Sequence, residues 1–263
     1  MSKNILITGA GSGIGRDAAF ALAARGHQVW ASTETAEQAQ SLRAESQTQG
    51  VSLQVLQMDI TQEVDRHQVN DLAIDVLINN AGVGESGALA EVPMDKVRRV
   101  FEVNLFATLA LTQEVLRGMV ARERGTVLMV SSIAGRVPVP FLMPYGMSKF
   151  ALSAAGAAMR AEMDRLHKNI HIALIEPGAI HTGFNQRMTA SKYSWMDPSS
   201  YFWPVRERLM AEEKRSFAFL EARDTRSIVV QIVKAAEAAR PRLRYVAPRW
   251  QGWGVRLARI LGV

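Results

Sequence analysis

Short apolar and β-branched runs recur along the chain at Ile5-Leu6-Ile7, Gln28-Val29-Trp30-Ala31, Leu53-Gln54-Val55-Leu56, Val76-Leu77-Ile78, Thr126-Val127-Leu128-Met129-Val130 and His171-Ile172-Ala173-Leu174-Ile175. Several carry no polar side chain, the pattern of strands covered on both faces. Between them lie amphipathic stretches such as residues 16–25, 94–122 and 149–167, with helical spacing. Strands alternating with helices predict an α/β fold, a doubly wound parallel sheet with right-handed crossovers, whose ligands bind at the carboxyl ends of the strands. No repeat, low-complexity tract or linker interrupts the pattern, so one domain over residues 1–263 is expected.

Two segments depart from the rhythm. Residues 184–210 hold Phe184, Tyr193, Trp195, Tyr201, Phe202 and Trp203 with three methionines, punctuated by Pro198 and Pro204. We read this stretch as an irregular, lid-like insertion over an apolar site. Near the end, Arg244-Tyr245-Val246-Ala247 has the composition of a last strand, and a C-terminal extension, 248–263, follows. Its apolar positions 250, 253, 257, 260 and 261 fall on one helical stripe, with Arg256 and Arg259 off it. Packing against this subunit or a second one is the favoured reading of that stripe; attachment to an anionic membrane surface is the alternative.

Composition narrows the class. The chain of 263 residues is 48% hydrophobic and 21% charged, ordinary for a folded soluble protein. The net charge of +6 is matched by the six arginines of residues 240–263, a tail without lysine or acid, so the body is neutral and no nucleic-acid groove is expected. Cysteine is absent, which excludes disulfides and thiolate chemistry. His167 and His171, the one close histidine pair, are expected to straddle a helix end at Asn169, and no metal site is expected from them. No apolar run approaches membrane-spanning length, and the amino terminus leads directly into the first strand; a cytoplasmic protein is expected.

Candidate chemistry starts after the first strand, at Thr8-Gly9-Ala10-Gly11-Ser12-Gly13-Ile14-Gly15, which opens a helical stretch. Glycines at this spacing between strand and helix let backbone approach a pyrophosphate held by free helix N–H groups. At the end of the second strand, in Ala31-Ser32-Thr33-Glu34-Thr35, Glu34 lies 19 residues beyond Gly15, near the spacing of an acid that binds a ribose 2′-hydroxyl. It also fits as the first acid of the next helix.

In combination with further motifs, residues 3–182 resemble the short-chain dehydrogenase/reductase superfamily. Asn79-Asn80-Ala81-Gly82 is similar to the segment ending its fourth strand, Val103-Asn104 to its helix asparagine and Ser131-Ser132 to its serine. Tyr145-Gly-Met-Ser-Lys149 resembles its tyrosine and lysine, and Pro177-Gly178 with Thr182 its nicotinamide-side loop. The resemblance implies a Rossmann fold, a nicotinamide cofactor and a catalytic set of Asn104, Ser132, Tyr145 and Lys149. It implies cofactor contacts from Thr8 and the glycine turn, from Thr33 or Glu34, from Asp59 and Ile60, from Asn80, Ala81 and Gly82, from Tyr145 and Lys149, and from Pro177, Gly178, Ile180 and Thr182. Asp59 would meet the adenine, or cap a helix before Thr61. Family members that use NADP often carry an arginine near position 34 and a basic residue within the glycine turn, where Glu34 and Ser12 stand here; NAD is favoured and NADP is left open.

The chemistry follows from the residue types. Tyr145 and Lys149, four apart, share a helix face, and an ammonium beside a phenol is expected to lower its pKa towards the working range. Ser132 is placed to polarise a carbonyl, and the resemblance implies that Asn104 holds a water linking Lys149 to solvent. His181 is read as a solvent-exposed loop residue. The apolar segment 135–144 and the aromatic lid suggest a bulky hydrophobic secondary alcohol or ketone as substrate. A homo-oligomer, a dimer first and a tetramer second, is expected through the helices carrying Asn104 and Tyr145. The rival readings are an idle dinucleotide-binding regulator, which would not require the proton relay, and an epimerase or dehydratase on the same fold.

Overall fold

A computed structural model describes residues 2–262. Seven parallel strands form one sheet: β1 (Asn4–Ile7), β2 (Gln28–Thr33), β3 (Gln54–Gln57), β4 (Val76–Asn79), β5 (Arg124–Val130), β6 (Asn169–Pro177) and β7 (Arg244–Ala247), in the order β3-β2-β1-β4-β5-β6-β7. The reversal of direction between β1 and β4 is the point at which a doubly wound sheet opens a crevice.

Strand alternation builds two cores. Ile5 and Ile7 face one side and Leu6 the other, and the same split runs through β5, with Leu128 and Val130 opposite Val127 and Met129. Helices α1 (Gly13–Ala23), α2 (Ala36–Gln49) and α9 (Arg226–Glu237) cover the first face through Ala18, Leu22, Leu42, Ile228 and Ile232. On the second face lie α5 (Thr108–Ala121) and α6 (Met143–Asp164), which contribute Leu111, Val115, Met119 and Leu152. Burial on both faces is the reason those strands lack polar residues.

Several expectations need correction. The stretch 94–122 is α4 (Met94–Phe101), a π-helical segment over Glu102–Ala107 and then α5, with Asn104 inside the π turn. Helix α6 begins at Met143, so Tyr145 and Lys149 occupy its first two turns. Asn169 starts β6 rather than ending a helix: α6 stops at Asp164, and His167 takes a positive φ of 53° in the turn between them. The four-residue α3 (Glu63–Arg66) begins only after Gln62, so Asp59 caps no helix.

The insertion over 184–210 is not irregular. It holds α7 (Phe184–Trp195) and a short 3₁₀ turn, Trp203–Val205, which leads into α8 (Arg206–Leu220). Two of its aromatic residues pack on other elements, Phe202 edge-on to Phe141 at 5.0 Å and Phe184 against Tyr145 at 5.6 Å between ring centres, while Tyr201 is exposed. Helix α10 (Arg249–Ile260) closes the chain, and among the described residues no helix is long and apolar enough to cross a membrane.

Candidate functional site

At the carboxyl edge of the sheet a cleft of about 1460 Å³ runs from the glycine turn to α7 and α8. One end is built by backbone approach. Gly9 takes φ +65°, and a Cβ there would lie 2.7 Å from Ala81 Cα; at Gly15 it would lie 2.3 Å from Asn80 Nδ2. The turn therefore sits flush against the loop after β4. Thr8 Oγ1 accepts the N–H groups of Asn80 (3.1 Å) and Ala81 (3.0 Å), while Asn80 Nδ2 donates to the carbonyls of Thr8 (2.9 Å) and Gly9 (3.0 Å). Helix α1 follows with Ser12 at its N-cap, whose side chain makes no capping bond, leaving first-turn N–H groups free to meet an anion.

Glu34 is exposed on the wall of the cleft just past β2. It is not the first acid of α2: Thr35 caps that helix by accepting the Gln38 N–H at 3.3 Å, and Glu37 is the acid of its first turn. Thr33, by contrast, is buried in β2 away from the cleft, with its hydroxyl donating to the Thr35 carbonyl at 3.2 Å. Asp59 lines the cleft beside Ile60, and its Oδ1 accepts the N–H and hydroxyl of Thr61 at 2.9 and 2.8 Å. Gln38 was not foreseen: its amide oxygen takes the Glu34 N–H at 3.2 Å and would lie 3.1 Å from a Cβ at Gly11.

The middle of the cleft brings Ser132, Tyr145 and Lys149 together. Ser132 follows β5 and caps the 3₁₀ turn Ile133–Gly135 by accepting the Ala134 N–H at 3.1 Å. Burial pushes the Tyr145 phenol up to about 12, opposed by a hydrogen bond with Ser132. The expected lowering by Lys149 is not found. Lys149 Nζ donates to the Val130 carbonyl at 2.9 Å, 5.6 Å from the Tyr145 ring centre, and burial pulls its own pKa down to about 8. In this arrangement desolvation outweighs their mutual influence.

Asn104 stands behind the wall rather than on it. Its side-chain oxygen accepts the Val83 N–H at 2.8 Å, and its nitrogen donates to the Val83 carbonyl (2.9 Å) and Ser148 Oγ (3.0 Å). Those bonds make it a positioning residue for the loop after β4. Carbonyls loosened by the π turn need other partners, and Thr108 Oγ1 supplies one by donating to Val103 at 3.0 Å.

The loop after β6 carries Pro177, Gly178, Ile180 and Thr182 along the cleft, with Thr182 against the space beside Gly13. It is tied to the segment after α8 by the Ala222 N–H to Ala179 carbonyl bond (2.9 Å) and the His181 N–H to Ala222 carbonyl bond (2.8 Å). His181 itself points to solvent and meets Glu221 at 2.8 Å. Gln251 of α10 was missed entirely: its oxygen accepts the Ala179 N–H and its nitrogen donates to the Leu220 carbonyl, both at 2.7 Å. Lys192, buried on α7 and paired with Glu213 of α8 at 2.5 Å, was missed because a lysine ordinarily reads as solvent-facing.

Fold and site together define a dinucleotide-binding α/β protein with a tyrosine–lysine pair at the carboxyl edge of its sheet. The chain belongs to the short chain dehydrogenase family, whose profile matches residues 3–192. It is 33% identical over 212 residues to dehydrogenase/reductase SDR family member 7B of Mus musculus, covering 74% of this chain and 64% of that one. To retinol dehydrogenase 8 of Homo sapiens it is 30% identical over 253 residues, covering 92% and 80%. Among solved structures, a short-chain dehydrogenase from Streptomyces avermitilis shares the fold at a TM-score of 0.80 and 23% identity, covering 100% of this chain and 94% of that one.

Proposed function

We propose that this protein is an NAD(P)-dependent oxidoreductase that interconverts a bulky hydrophobic secondary alcohol and its ketone. The observation that carries the reading is one cleft holding both the glycine cradle and the Ser132, Tyr145 and Lys149 set. The cradle fits a dinucleotide: backbone closes on backbone at Gly9 and Gly15, and the unsatisfied first turn of α1 faces the space where a pyrophosphate would lie. Glu34 would hold the adenosine ribose, Lys149 the other ribose, and the loop over Pro177, Gly178, Ile180 and Thr182 the nicotinamide. When bound, the cofactor supplies or accepts the hydride.

The chain's own residues move the proton. In the reductive direction Ser132 Oγ hydrogen-bonds the carbonyl oxygen and fixes it against Tyr145, whose phenol is protonated at neutral pH because burial holds it near 12. Tyr145 Oη–H donates that proton to the oxygen, and the Lys149 ammonium below it steadies the phenolate that is left. Oxidation reverses each transfer.

Support for an apolar substrate comes from the walls: Phe141, Leu142, Phe184, Met188 and Phe217 line the cleft near Tyr145 or beyond it. The human relative is named for retinol, a bulky apolar alcohol. Support for NAD comes from Glu34, since a carboxylate on the wall repels a 2′-phosphate. We also propose a homodimer, through α5 and α6. The test is turnover of a panel of ketones and alcohols followed by NADH and NADPH absorbance: Tyr145→Phe should lower it roughly 10²–10⁴-fold while leaving cofactor binding intact. Equal turnover by that variant would leave a cofactor-binding regulator, and product formation without net absorbance change would point to epimerisation or dehydration.

A further inference from the structure

Helix α10 packs on the body through only one side. Gln251 and Val255 are buried, whereas Trp253, Leu257, Ile260 and Leu261 are 68%, 58%, 72% and 68% exposed. At the helical angle of about 100° per residue the exposed set occupies one arc, roughly opposite Gln251 and Val255. The stripe, expected to pack against this subunit or a second one, therefore faces away from this subunit.

Arg249, Arg256 and Arg259 flank that arc on one edge and are exposed, and residues 240–263 hold no carboxylate side chain to neutralise them. Arg256 lies over the Trp253 ring at 5.8 Å, an arrangement that keeps the cation at the rim of the apolar stripe. Because Gln251 binds the Leu220 carbonyl, the end of α8 stands beside this helix, and it adds Phe219, 81% exposed. The mouth of the cleft adjoins the same surface: Phe217 and Leu220 line it from α8, and Trp250 and Gly254 from α10.

We propose that α10 and the end of α8 form a docking face for an anionic membrane surface, which sets the mouth of the cleft against the lipid. An apolar arc bearing tryptophan, bordered by arginines and lying opposite the packed side of a helix, is the chemistry of interfacial attachment. A second copy of this chain fits the face less well: two-fold pairing with α10 antiparallel to its counterpart would set each arginine edge against the other, with no acid in residues 240–263 to offset it. Docking stands independently of the oxidoreductase reading; uptake of substrate from the lipid rests on that reading.

The full chain should be sedimented with phosphatidylcholine vesicles and with vesicles in which about one lipid in four is phosphatidylserine. Wild type should bind the anionic vesicles at least ~10-fold more strongly than the neutral ones and lose that preference at high salt. Trp253→Glu with Leu257→Glu should abolish binding to both. Arg256→Glu with Arg259→Glu should remove the preference for phosphatidylserine. Circular dichroism and cofactor binding should be unchanged in both variants, because every altered side chain is exposed and none lines the cleft. Wild type that ignores anionic vesicles, or variants that bind as wild type does, would overturn the proposal. So would a change in oligomeric state caused by Trp253→Glu with Leu257→Glu, which would make the face a contact between copies. Vesicle binding is read without turnover, so an inactive enzyme that still sediments would count against the oxidoreductase reading alone.

Discussion

At the scale of single residues, Tyr145 and Lys149 set the pH behaviour. With the phenol raised to about 12, the proton donor for reduction is the resident species at neutral pH, and the phenolate needed for oxidation is a minor one. Alcohol oxidation should therefore accelerate from neutral to alkaline pH, by up to ~10-fold per unit while that deprotonation limits the rate. Ketone reduction should instead fall as pH passes about 8, where Lys149 loses the charge that steadies the nascent phenolate. Initial rates in both directions across this range check the sign, and a profile that declined in alkali for oxidation would contradict it. Glu34→Arg should shift the ratio of kcat/KM values from NAD towards NADP by roughly 10-fold or more, since an arginine there would pair with the 2′-phosphate. Ser132, Tyr145 and Lys149 were legible through the family resemblance, whose motifs are short and local; the four-residue spacing alone would fit ordinary surface packing of a helix. Gln38 and Gln251 were not, because each reaches the site through tertiary packing, and a glutamine on a helix gives no sign of which backbone group it will meet.

Whole elements show why the lid was misread. A helix declares itself by an apolar stripe, and α7 interrupts its own: Met188 packs on Ala134 and Tyr145, and one turn later the buried position is Lys192. The stripe continues as an ion pair with Glu213 of α8, whose other oxygen accepts the Tyr193 hydroxyl at 2.9 Å. Glu85, in the loop after β4, holds the same helix from the other side through Ser191 at 2.5 Å and meets Lys96 at 3.3 Å. Helix α7 is thus fastened by charges that look like surface residues in the sequence. Unequal costs follow. Glu213→Ala leaves a buried ammonium whose remaining contacts are the Thr189 carbonyl at 3.3 Å and the Tyr193 ring at 4.8 Å, and it should destabilise the chain by about 3 kcal/mol. Lys192→Met leaves a carboxylate that is 24% exposed and still bonded to Tyr193, and should cost about 1 kcal/mol or less. Denaturant unfolding of the two variants measures the order; equal losses would mean that the pair does not fasten the lid. The KM for an apolar ketone should rise in Glu213→Ala more than kcat falls, because Lys192 and Glu213 line the substrate end of the cleft and lie outside the tyrosine–lysine pair.

For the molecule as a whole, distribution of charge and exposed apolar surface separates two faces of different chemistry. The doubly wound order was legible from the alternation of strands and helices, because burial on both faces strips strands of polar residues. The use of the outer helices was not, because an amphipathic stripe has the same period whatever covers it. On α10 the stripe is built of large side chains and bordered by arginines. On α6 the outer side shows Ala154, Ala158 and Ala161, all exposed, and the π segment packed beside that helix presents Phe106 at 56% exposure. Small side chains beside one aromatic knob suit a two-fold contact between copies, in which each Phe106 would be buried. Sedimentation equilibrium of the wild-type chain should accordingly report a dimer, and Phe106→Glu, which would bury a carboxylate in that contact, should weaken self-association by ~100-fold or more. The same substitution should leave binding to anionic vesicles unchanged, while Trp253→Glu with Leu257→Glu leaves the dimer intact. If Phe106→Glu did not alter the mass, the α6 face would be excluded as the contact.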